Sequence, residues 1–286
     1  MFWPKISIIT PSYNQGQYLE DTIISIIDQN YPQLEYIIID GGSTDDSVSI
    51  IKKYEEHITY WVSEPDEGQS YALNKGFSLS SGEIIGWLNS DDLYCKNVLL
   101  HIGELFRDNP DWQVINGGLL VIDSMGRIID AGWPLRNDPR YTYLIGLDIH
   151  QQALFWRKSV FEDVGYLNQK YDFSMDYDFI LRMISLYRTH RTQKFIGMYR
   201  VHESAKSALI LDRCLAENSL IRSLLHEKYK DRFPFHSISL SKLYLRIIRI
   251  IKVAFDAPVM YLLFKLFIKL TGRSRFTDRL AGNFNK

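Results

Sequence analysis

The segment Trp87-Leu-Asn-Ser-Asp-Asp-Leu-Tyr94 places two adjacent carboxylates directly after an apolar run at 84–88. That run has the composition of a buried strand. Carboxylates at the mouth of such a strand are costly to hide without a partner. A hard divalent cation is a natural partner, because Mg²⁺ and Mn²⁺ bind oxygen ligands. Taken alone, the segment is more typical of a surface turn that carries Ser-Asp-Asp.

Strands and helices alternate upstream of this segment. Apolar strands are predicted at 6–10, 35–40, 58–63 and 83–88, with helices between them. The alternation predicts an α/β fold with a mainly parallel sheet flanked by helices. Ligands bind beyond the carboxyl ends of the strands in such sheets. The polar residues at those ends are Ser12, Tyr13, Asn14, Asp40, Gly41, Gly42, Ser43, Glu64, Asp66, Asn89, Asp91 and Asp92.

Charge is distributed unevenly along the chain. Residues 238–286 carry ten Lys and Arg against two Asp, a net of +8, whereas the first 237 residues carry 23 basic and 32 acidic side chains, a net of −9. An acidic body lacks the basic stripe of a nucleic-acid-binding domain. We therefore expect no nucleic-acid partner.

The basic C-terminal region is also apolar. Basic residues fall at 242, 246, 249 and 252 between apolar ones, and a second such segment covers 259–270. This pattern predicts amphipathic helices that lie on an anionic membrane over 242–270. Helices packed on the rest of the chain, or a dimer interface, are the alternatives.

Two features bear on the compartment. Cys95 and Cys214 are far apart and in no metal-ligand spacing, which favours reduced thiols in the cytosol. We expect no signal peptide and no membrane-spanning helix, because the N-terminus leads directly into a strand and charges interrupt the apolar stretches. The expected location is the cytoplasm, peripheral at the inner face of the cell membrane.

Five stretches of the chain together resemble family 2 glycosyltransferases of the bacterial glycan-assembly type, which have the GT-A (Rossmann-like) fold. They are Ser7-Ile-Ile-Thr-Pro-Ser-Tyr-Asn14, Ile38-Ile-Asp-Gly-Gly-Ser-Thr-Asp45, Ser63-Glu-Pro-Asp-Glu-Gly-Gln-Ser70, Leu73-Asn-Lys-Gly76 and Trp87-Leu-Asn-Ser-Asp-Asp92. Looser similarity continues through 150–152, 175–179 and 199–204. We therefore expect a GT-A catalytic domain at 1–210, with a nucleotide-binding half at 1–100 and an acceptor half at 101–210, followed by a helical extension at 211–286.

The resemblance implies a donor site for a nucleotide sugar, expected to be UDP-linked. Pro11 and Tyr13 would line the base pocket, Tyr13 by stacking, and Asp40 would accept a hydrogen bond from uracil. Asp66 would approach the ribose or diphosphate, where Gly68 lets the backbone come close. The remaining implied donor residues are Asn74 and Lys75, at an expected helix start, with Asn89 and Asp91.

The resemblance also implies a cofactor, Mn²⁺ or Mg²⁺, held by Asp91, Asp92 and His202. The family usually has Asp at the position of Asn89. Because of this departure, the sequence leaves open which carboxylate binds the metal directly and which holds the ribose. His202 is alternatively a phosphate contact or a structural histidine.

Glycosyl transfer needs a neutralised leaving diphosphate, a positioned sugar and a general base for the acceptor hydroxyl. By the resemblance the base is Asp176, although its position alone is typical of a helix cap. Asp178 is the alternative base. One base without a nucleophile predicts inversion at the anomeric carbon. His150 and Gln151 are expected on the acceptor side.

The sequence thus predicts an inverting, metal-dependent glycosyltransferase that acts on a glycan or lipid-linked acceptor in cell-surface polysaccharide synthesis. A nucleotidyltransferase would need a basic, Gly-rich loop after the first strand, and residues 11–16 do not form one. A non-catalytic nucleotide-sugar-binding module or scaffold is the main alternative, and it would bind UDP without turnover.

Overall fold

The computed structural model describes residues 2–134, 149–203, 211–232 and 266. Its first half alternates strands and helices, as predicted. In chain order these are β1 (Ile6–Ser12), α1 (Gly16–Ile27), β2 (Leu34–Asp40), α2 (Ser47–Lys53), β3 (Tyr60–Ser63), α3 (Gln69–Leu79) and β4 (Ile84–Trp87). β1 pairs in parallel with β2 and β4, and β2 with β3. The helices supply the long crossovers that parallel strands need.

The second half of the described chain adds a mixed extension to the sheet. It contains β5 (Leu93–Tyr94), α4 (Val98–Asp108), β6 (Val114–Ile122), β7 (Ile128–Gly132), β8 (Leu154–Arg157), α5 (Val160–Val164), α6 (Met175–Leu186), β9 (Thr189–Arg200) and α7 (Leu211–Tyr229). The strand order is β3-β2-β1-β4-β8-β6-β9-β5, with β7 beside β6. β8 runs antiparallel to both β4 and β6.

Successive residues of β1 supply two different cores. Ile8 packs in the cluster that contains Leu19 of α1 and Ile102 of α4. Ile9 packs in the cluster that contains Phe77 of α3 and Phe179 of α6. Side chains alternate across a strand, so a strand buried on both faces has a continuous apolar sequence.

Pro11 determines where the sheet opens. Pairing of β1 with β4 ends where Leu88 N–H donates to Ile9 O at 3.1 Å. Pro11 is the next residue of β1 that faces β4, and it has no N–H to continue the ladder. β1 itself continues beside β2 as far as Ser12, two residues beyond its predicted end. The two central strands therefore separate at their carboxyl ends.

The predicted helical extension begins with α7, which packs on α6. Ile221 and Leu225 are buried in the same cluster as Met183 of α6. The amphipathic helices predicted at 242–270 lie outside the described residues, apart from residue 266. Within the described residues, no helix combines the length and hydropathy needed to cross a bilayer.

Glu35 anchors the opposite, amino end of the sheet. Its Oε1 accepts hydrogen bonds from Lys5 Nζ at 2.8 Å and Ser81 Oγ at 2.6 Å. Its Oε2 accepts from Ser7 Oγ at 2.5 Å and from the Ser81 N–H at 2.7 Å. Burial raises the pKa of Glu35, but these hydrogen bonds outweigh burial and lower the pKa to about 2.

Substituting Glu35→Gln should lower the free energy of unfolding by about 1–3 kcal/mol near neutral pH, because buried donors lose a charged acceptor. The folded pKa lies below the unfolded value, so this stabilisation is present above about pH 4.5 and is lost as the pH falls towards 2. Urea denaturation between about pH 7 and pH 3 measures it. The control is Glu56→Gln, at an exposed position. A difference between Glu35→Gln and wild type that does not shrink with falling pH would contradict this account.

Candidate functional site

The loops after β1 and β2 are joined by hydrogen bonds. Asn14 N–H donates to Ser43 Oγ at 2.8 Å. Asp45 Oδ2 accepts the N–H of Gly16 at the start of α1 at 2.8 Å, and its Oδ1 accepts the N–H of Ser47 at the start of α2 at 3.0 Å. Asp45 therefore ties two helix starts together. These contacts bring the carboxyl ends of neighbouring strands to one edge.

The three residues predicted to bind the base differ in exposure. Tyr13 is 63% exposed at the tip of its loop, whereas Pro11 is buried in β1. Asp40 is fully buried: its Oδ1 accepts Ser43 Oγ–H at 2.6 Å, and its Oδ2 accepts Ser63 Oγ–H at 2.6 Å and Ser43 N–H at 2.9 Å. Uracil could reach Asp40 only if a serine hydroxyl turned away, and this contact stays a prediction.

Asp66 lies beside the end of β2. A Cβ added to Gly41 would stand 3.1 Å from both carboxylate oxygens of Asp66. Asp66 Oδ1 accepts the N–H of Gly68 at 2.8 Å, and Gly68 has a φ of 109°, which favours glycine. Burial, reinforced by the charge of Asp40, raises the pKa of Asp66 despite the hydrogen bond from Gly68. Asp66 and Gly68 therefore form one turn at this edge.

The prediction that Asn74 and Lys75 stand at a helix start is wrong. α3 begins at Gln69, because Gly68 ends the preceding turn, and both residues lie in its middle. Asn74 Nδ2 donates to Leu167 O at 2.9 Å, and Asn74 Oδ1 accepts Leu167 N–H at 2.9 Å. Lys75 forms an ion pair with Glu64. Asn74 thus fixes the chain after α5 onto α3, and nucleotide contact by either residue remains only a prediction.

Asn89 follows β4 with both ends of its amide bonded. Asn89 Oδ1 accepts hydrogen bonds from Trp87 Nε1 at 2.7 Å and Gln69 Nε2 at 2.9 Å. Asn89 Nδ2 donates to Asp92 Oδ2 at 3.4 Å. The amide therefore connects the start of α3 to the carboxylate of Asp92.

Asp92 is fully buried. Its Oδ1 accepts the backbone N–H of Arg200 at 3.0 Å. Its Oδ2 accepts from Gln152 Nε2 at 2.9 Å and, over a longer distance, from Gln151 Nε2 at 3.5 Å. Burial, and then the negative charge of Asp91, raise the pKa of Asp92 well above its usual range. Asp92 thus faces the protein, not the solvent, and the predicted binding of a metal ion by Asp92 stays a prediction.

Asp91 points the other way and meets His202. The Asp91 side chain is 18% exposed, and its Oδ2 lies 3.0 Å from His202 Nε2. The His202 ring packs on Tyr18 of α1, with 4.6 Å between ring centroids. Arg200 lies over the same Tyr18 ring at 4.7 Å and donates from Nε to Asp91 O at 2.9 Å. Arg200, the last residue of β9, therefore holds the backbone of Asp91 and packs on the same ring as His202.

Asp91 and His202 offer two donors to a metal ion. Across the described ranges, no group of three or more His, Cys, Asp and Glu side chains stands close enough to hold one. Mg²⁺ usually takes only one or two protein carboxylates and completes its shell with water and phosphate oxygens, and Mn²⁺ accepts imidazole as well as oxygen. The donor set therefore fits a cation shared with a phosphorylated ligand.

The two candidate bases occupy different environments. Asp176 is half-buried in the first turn of α6, where its Oδ1 accepts the adjacent Tyr177 N–H at 2.7 Å. Asp178 is 4% exposed and paired with Arg182 at 2.7 Å. Asp178 is thus held inside the fold, Asp176 is the more exposed of the two, and the role of either as a base stays a prediction.

Glu217 of α7 was not predicted as a site residue. Its Oε2 accepts the N–H groups of Phe173 at 3.2 Å and Ser174 at 2.9 Å, just before Asp176. These partners are 44 and 43 residues away along the chain, so no local pattern signals the contact. Glu217 therefore fixes the segment that carries Asp176.

The two residues expected on the acceptor side have different surroundings. A Cβ on Gly132 of β7 would come within 2.9 Å of His150 Nε2, so His150 packs against β7. Gln151 is buried below Asp92, and its Oε1 has no hydrogen-bond partner among the described residues. Contact of either residue with an acceptor stays a prediction.

A polar cleft opens at the start of α3. Gln69 connects it to Asn89, and Asp172 lies four residues before Asp176. Its lining consists of Glu67, Gly68, Gln69, Ser70, Tyr71, Gln169, Tyr171 and Asp172. The cleft therefore lies between the start of α3 and the segment 169–172.

Comparison with known proteins places these features in a family. TuaG of Bacillus subtilis, named a putative teichuronic acid biosynthesis glycosyltransferase, is 40% identical over 101 residues, which cover 34% of this chain and 39% of that protein. S. aureus TarS 1–349 in complex with UDP-GlcNAc has a TM-score of 0.57 at 19% identity, over 72% of this chain and 61% of that chain. The mannosyltransferase PcManGT from Pyrobaculum calidifontis, in complex with GDP-Man and Mn²⁺, has a TM-score of 0.58 at 15% identity, over 94% of this chain and 85% of that chain.

The likeness to these structures confirms the predicted GT-A fold. The chain spans about two fifths of the length of two curated glycosyltransferases from Rickettsia felis and Rickettsia conorii that it matches, and 68% of the length of a third from Rickettsia typhi. Residues 7–164, more than half of the chain, match Glycosyl transferase family 2. The chain belongs to this family.

Proposed function

We propose that this chain is an inverting glycosyltransferase that moves a sugar from a UDP-sugar to a hydroxyl group of a glycan or lipid-linked acceptor in cell-surface polysaccharide synthesis. The observation that carries the proposal is the contact of Asp91 with His202, 3.0 Å apart at the ligand-binding edge of the sheet. The name of TuaG supports a role in polysaccharide assembly.

The uridine assignment is supported by the resemblance of the first two loops and by the UDP-GlcNAc bound to TarS. PcManGT holds GDP-Man instead, so the nucleotide must be tested directly. Exposed Tyr13 can stack on a base, which contributes about 1–3 kcal/mol in other base–aromatic contacts. Asp40 would give up one serine hydroxyl to accept from the uracil ring.

Asp91 and His202 would hold Mn²⁺ or Mg²⁺ together with the diphosphate of the donor. When bound, the cation supplies Lewis-acid neutralisation of the leaving group. Packing on Tyr18 fixes the His202 ring. The buried carboxylate of Asp92 fixes the backbone two residues earlier, because it accepts the N–H of Arg200. Asp66 and Gly68 would approach the ribose and diphosphate from the neighbouring turn.

Asp176 would accept the proton of the acceptor hydroxyl as its oxygen attacks the anomeric carbon and the diphosphate leaves. With one base and no protein nucleophile, the diphosphate is displaced from the anomeric carbon in a single step. The configuration of that carbon is therefore inverted, and an α-linked donor gives a β-linked product. Glu217 holds the turn that carries Asp176. The polar cleft between the two segments would receive the sugar.

Membrane contact would come from residues 242–270. The support is their sequence: ten basic against two acidic side chains over 238–286, interleaved with apolar residues. Such a segment would hold the catalytic domain at the inner face of an anionic membrane, close to a lipid-linked acceptor.

Isothermal titration of UDP should show binding that requires Mn²⁺. Asp91→Asn and His202→Ala should each weaken the Mn²⁺-dependent affinity by at least about tenfold, because each removes one of two protein donors. Asp111→Asn, at an exposed position, is the matched control and should bind as wild type does. Tighter binding of GDP than of UDP would reject the uridine assignment, and no binding of either nucleotide with Mn²⁺ would reject the donor site.

Asp176→Asn should lower turnover of a UDP-sugar by about 10²–10⁴-fold while leaving UDP affinity unchanged, because only the proton acceptor is lost. Release of UDP from a panel of UDP-sugars measures turnover, and NMR of the product gives its anomeric configuration. Asp111→Asn again serves as control. Wild-type protein that binds UDP but turns over no donor would instead identify a non-catalytic binding module, and retention of configuration would exclude the single displacement.

A further inference from the structure

We infer that Asn89 is a positioning residue: its side-chain N–H, with Gln152 and the backbone N–H of Arg200, holds Asp92 so that Asp91 faces His202. The inference rests on the proposed function. It also gives a physical reason for the amide at a position where the family usually has Asp, because an ionised carboxylate there has no N–H to donate to Asp92.

The orientation of the Asn89 amide follows from its partners. An indole N–H can only donate, so the atom 2.7 Å from Trp87 Nε1 must be the amide oxygen. The NH₂ of Gln69 also donates to that oxygen at 2.9 Å. The NH₂ of Asn89 is therefore directed at Asp92, where it lies 3.4 Å from Oδ2.

Asp92 depends on donors because it is fully buried. Arg200 N–H serves one of its oxygens at 3.0 Å, and Gln152 Nε2 serves the other at 2.9 Å. The hydrogen bonds that Asp92 accepts from Asn89, Gln152 and Arg200 all come from neutral amide groups. Without such bonds, a buried carboxylate is strongly destabilising.

The same groups determine where Asp91 points. Asp92 N–H donates to Asn89 O at 3.2 Å and closes the turn that carries Asp91. Arg200 Nε holds Asp91 O at 2.9 Å. With the turn fixed by its backbone on one side and by the Asp92 side chain on the other, the Asp91 carboxylate lies 3.0 Å from His202.

A carboxylate at position 89 would keep the two contacts of the amide oxygen and lose the third. Its second oxygen would stand about 3.4 Å from Asp92 Oδ2, where it could be held only if the two carboxyl groups shared a proton. Without that proton, it would place a further negative charge beside Asp91 and Asp92.

The alternative, that Asn89 marks a site that has lost its chemistry, makes the opposite prediction. On that view Asn89→Asp restores a missing ligand and strengthens Mn²⁺ binding. If Asn89 is instead a positioning residue, Asn89→Asp weakens Mn²⁺ affinity and lowers turnover by about tenfold or more, the range found when partners of metal ligands are removed.

The experiment compares Asn89→Asp and Asn89→Ala with Gln193→Glu, which adds the same charge at an exposed amide of β9. The first readout is Mn²⁺ affinity in the presence of UDP, by isothermal titration. The second is the ¹⁵N–¹H spectrum of the six tryptophan indoles, which is independent of turnover. We expect Asn89→Ala to shift the Trp87 resonance strongly, Asn89→Asp to shift it less, and Gln193→Glu to leave both readouts unchanged.

Mn²⁺ affinity in Asn89→Asp equal to or above that of wild type would overturn the inference. So would wild-type affinity and turnover in Asn89→Ala. If Asn89→Asp does not fold, Gln152→Glu applies the same test from the other side of Asp92, with the same expected loss. Failure of wild type to bind Mn²⁺ and UDP is a different result, because it rejects the proposed function itself.

Discussion

Asp92 has no contact with solvent, and a carboxylate in that position must be bonded by protein groups or the fold is destabilised by several kcal/mol. Its bonding groups come from far along the chain: Gln152 is 60 residues away and Arg200 is 108. The parallel half of the sheet therefore cannot complete this edge without β8 and β9. The outward direction of Asp91 and the position of His202 follow from that requirement.

Much of the fold could be predicted from the sequence because its signals are local. A strand buried on both faces, such as β1 or β2, is rich in consecutive apolar residues, as in Ile8–Ile9 and Tyr36–Ile39, and the helices between such strands show a different period. The end of pairing at Pro11 also has a local cause, but it needs the register of two strands. The bonds of Asn74 to Leu167 and of Glu217 to Ser174 have no local signal at all, since each joins residues that are distant in sequence.

The family resemblance predicted which strand ends carry polar groups, but it could not predict the partners of each oxygen. Asp40 lies at the expected strand end, yet Ser43 and Ser63 occupy its oxygens. Of the neighbouring pair Asp91 and Asp92, one faces outward and the other inward, which no spacing rule distinguishes. A sequence motif therefore specifies where polar groups gather, whereas the partners of each oxygen depend on how the surrounding elements pack.

The bond from Glu217 to the segment before Asp176 has a consequence for incomplete chains. The sheet, Asp91 and His202 all precede α7, so a product that ends near residue 203 would still contain every strand of the described structure. It would lack the carboxylate that holds the Phe173 and Ser174 amides, and the buried side chains of Ile221 and Leu225 that cover α6. Premature termination would thus leave the edge that carries Asp91 and His202 in place but remove the contacts that hold the segment before Asp176.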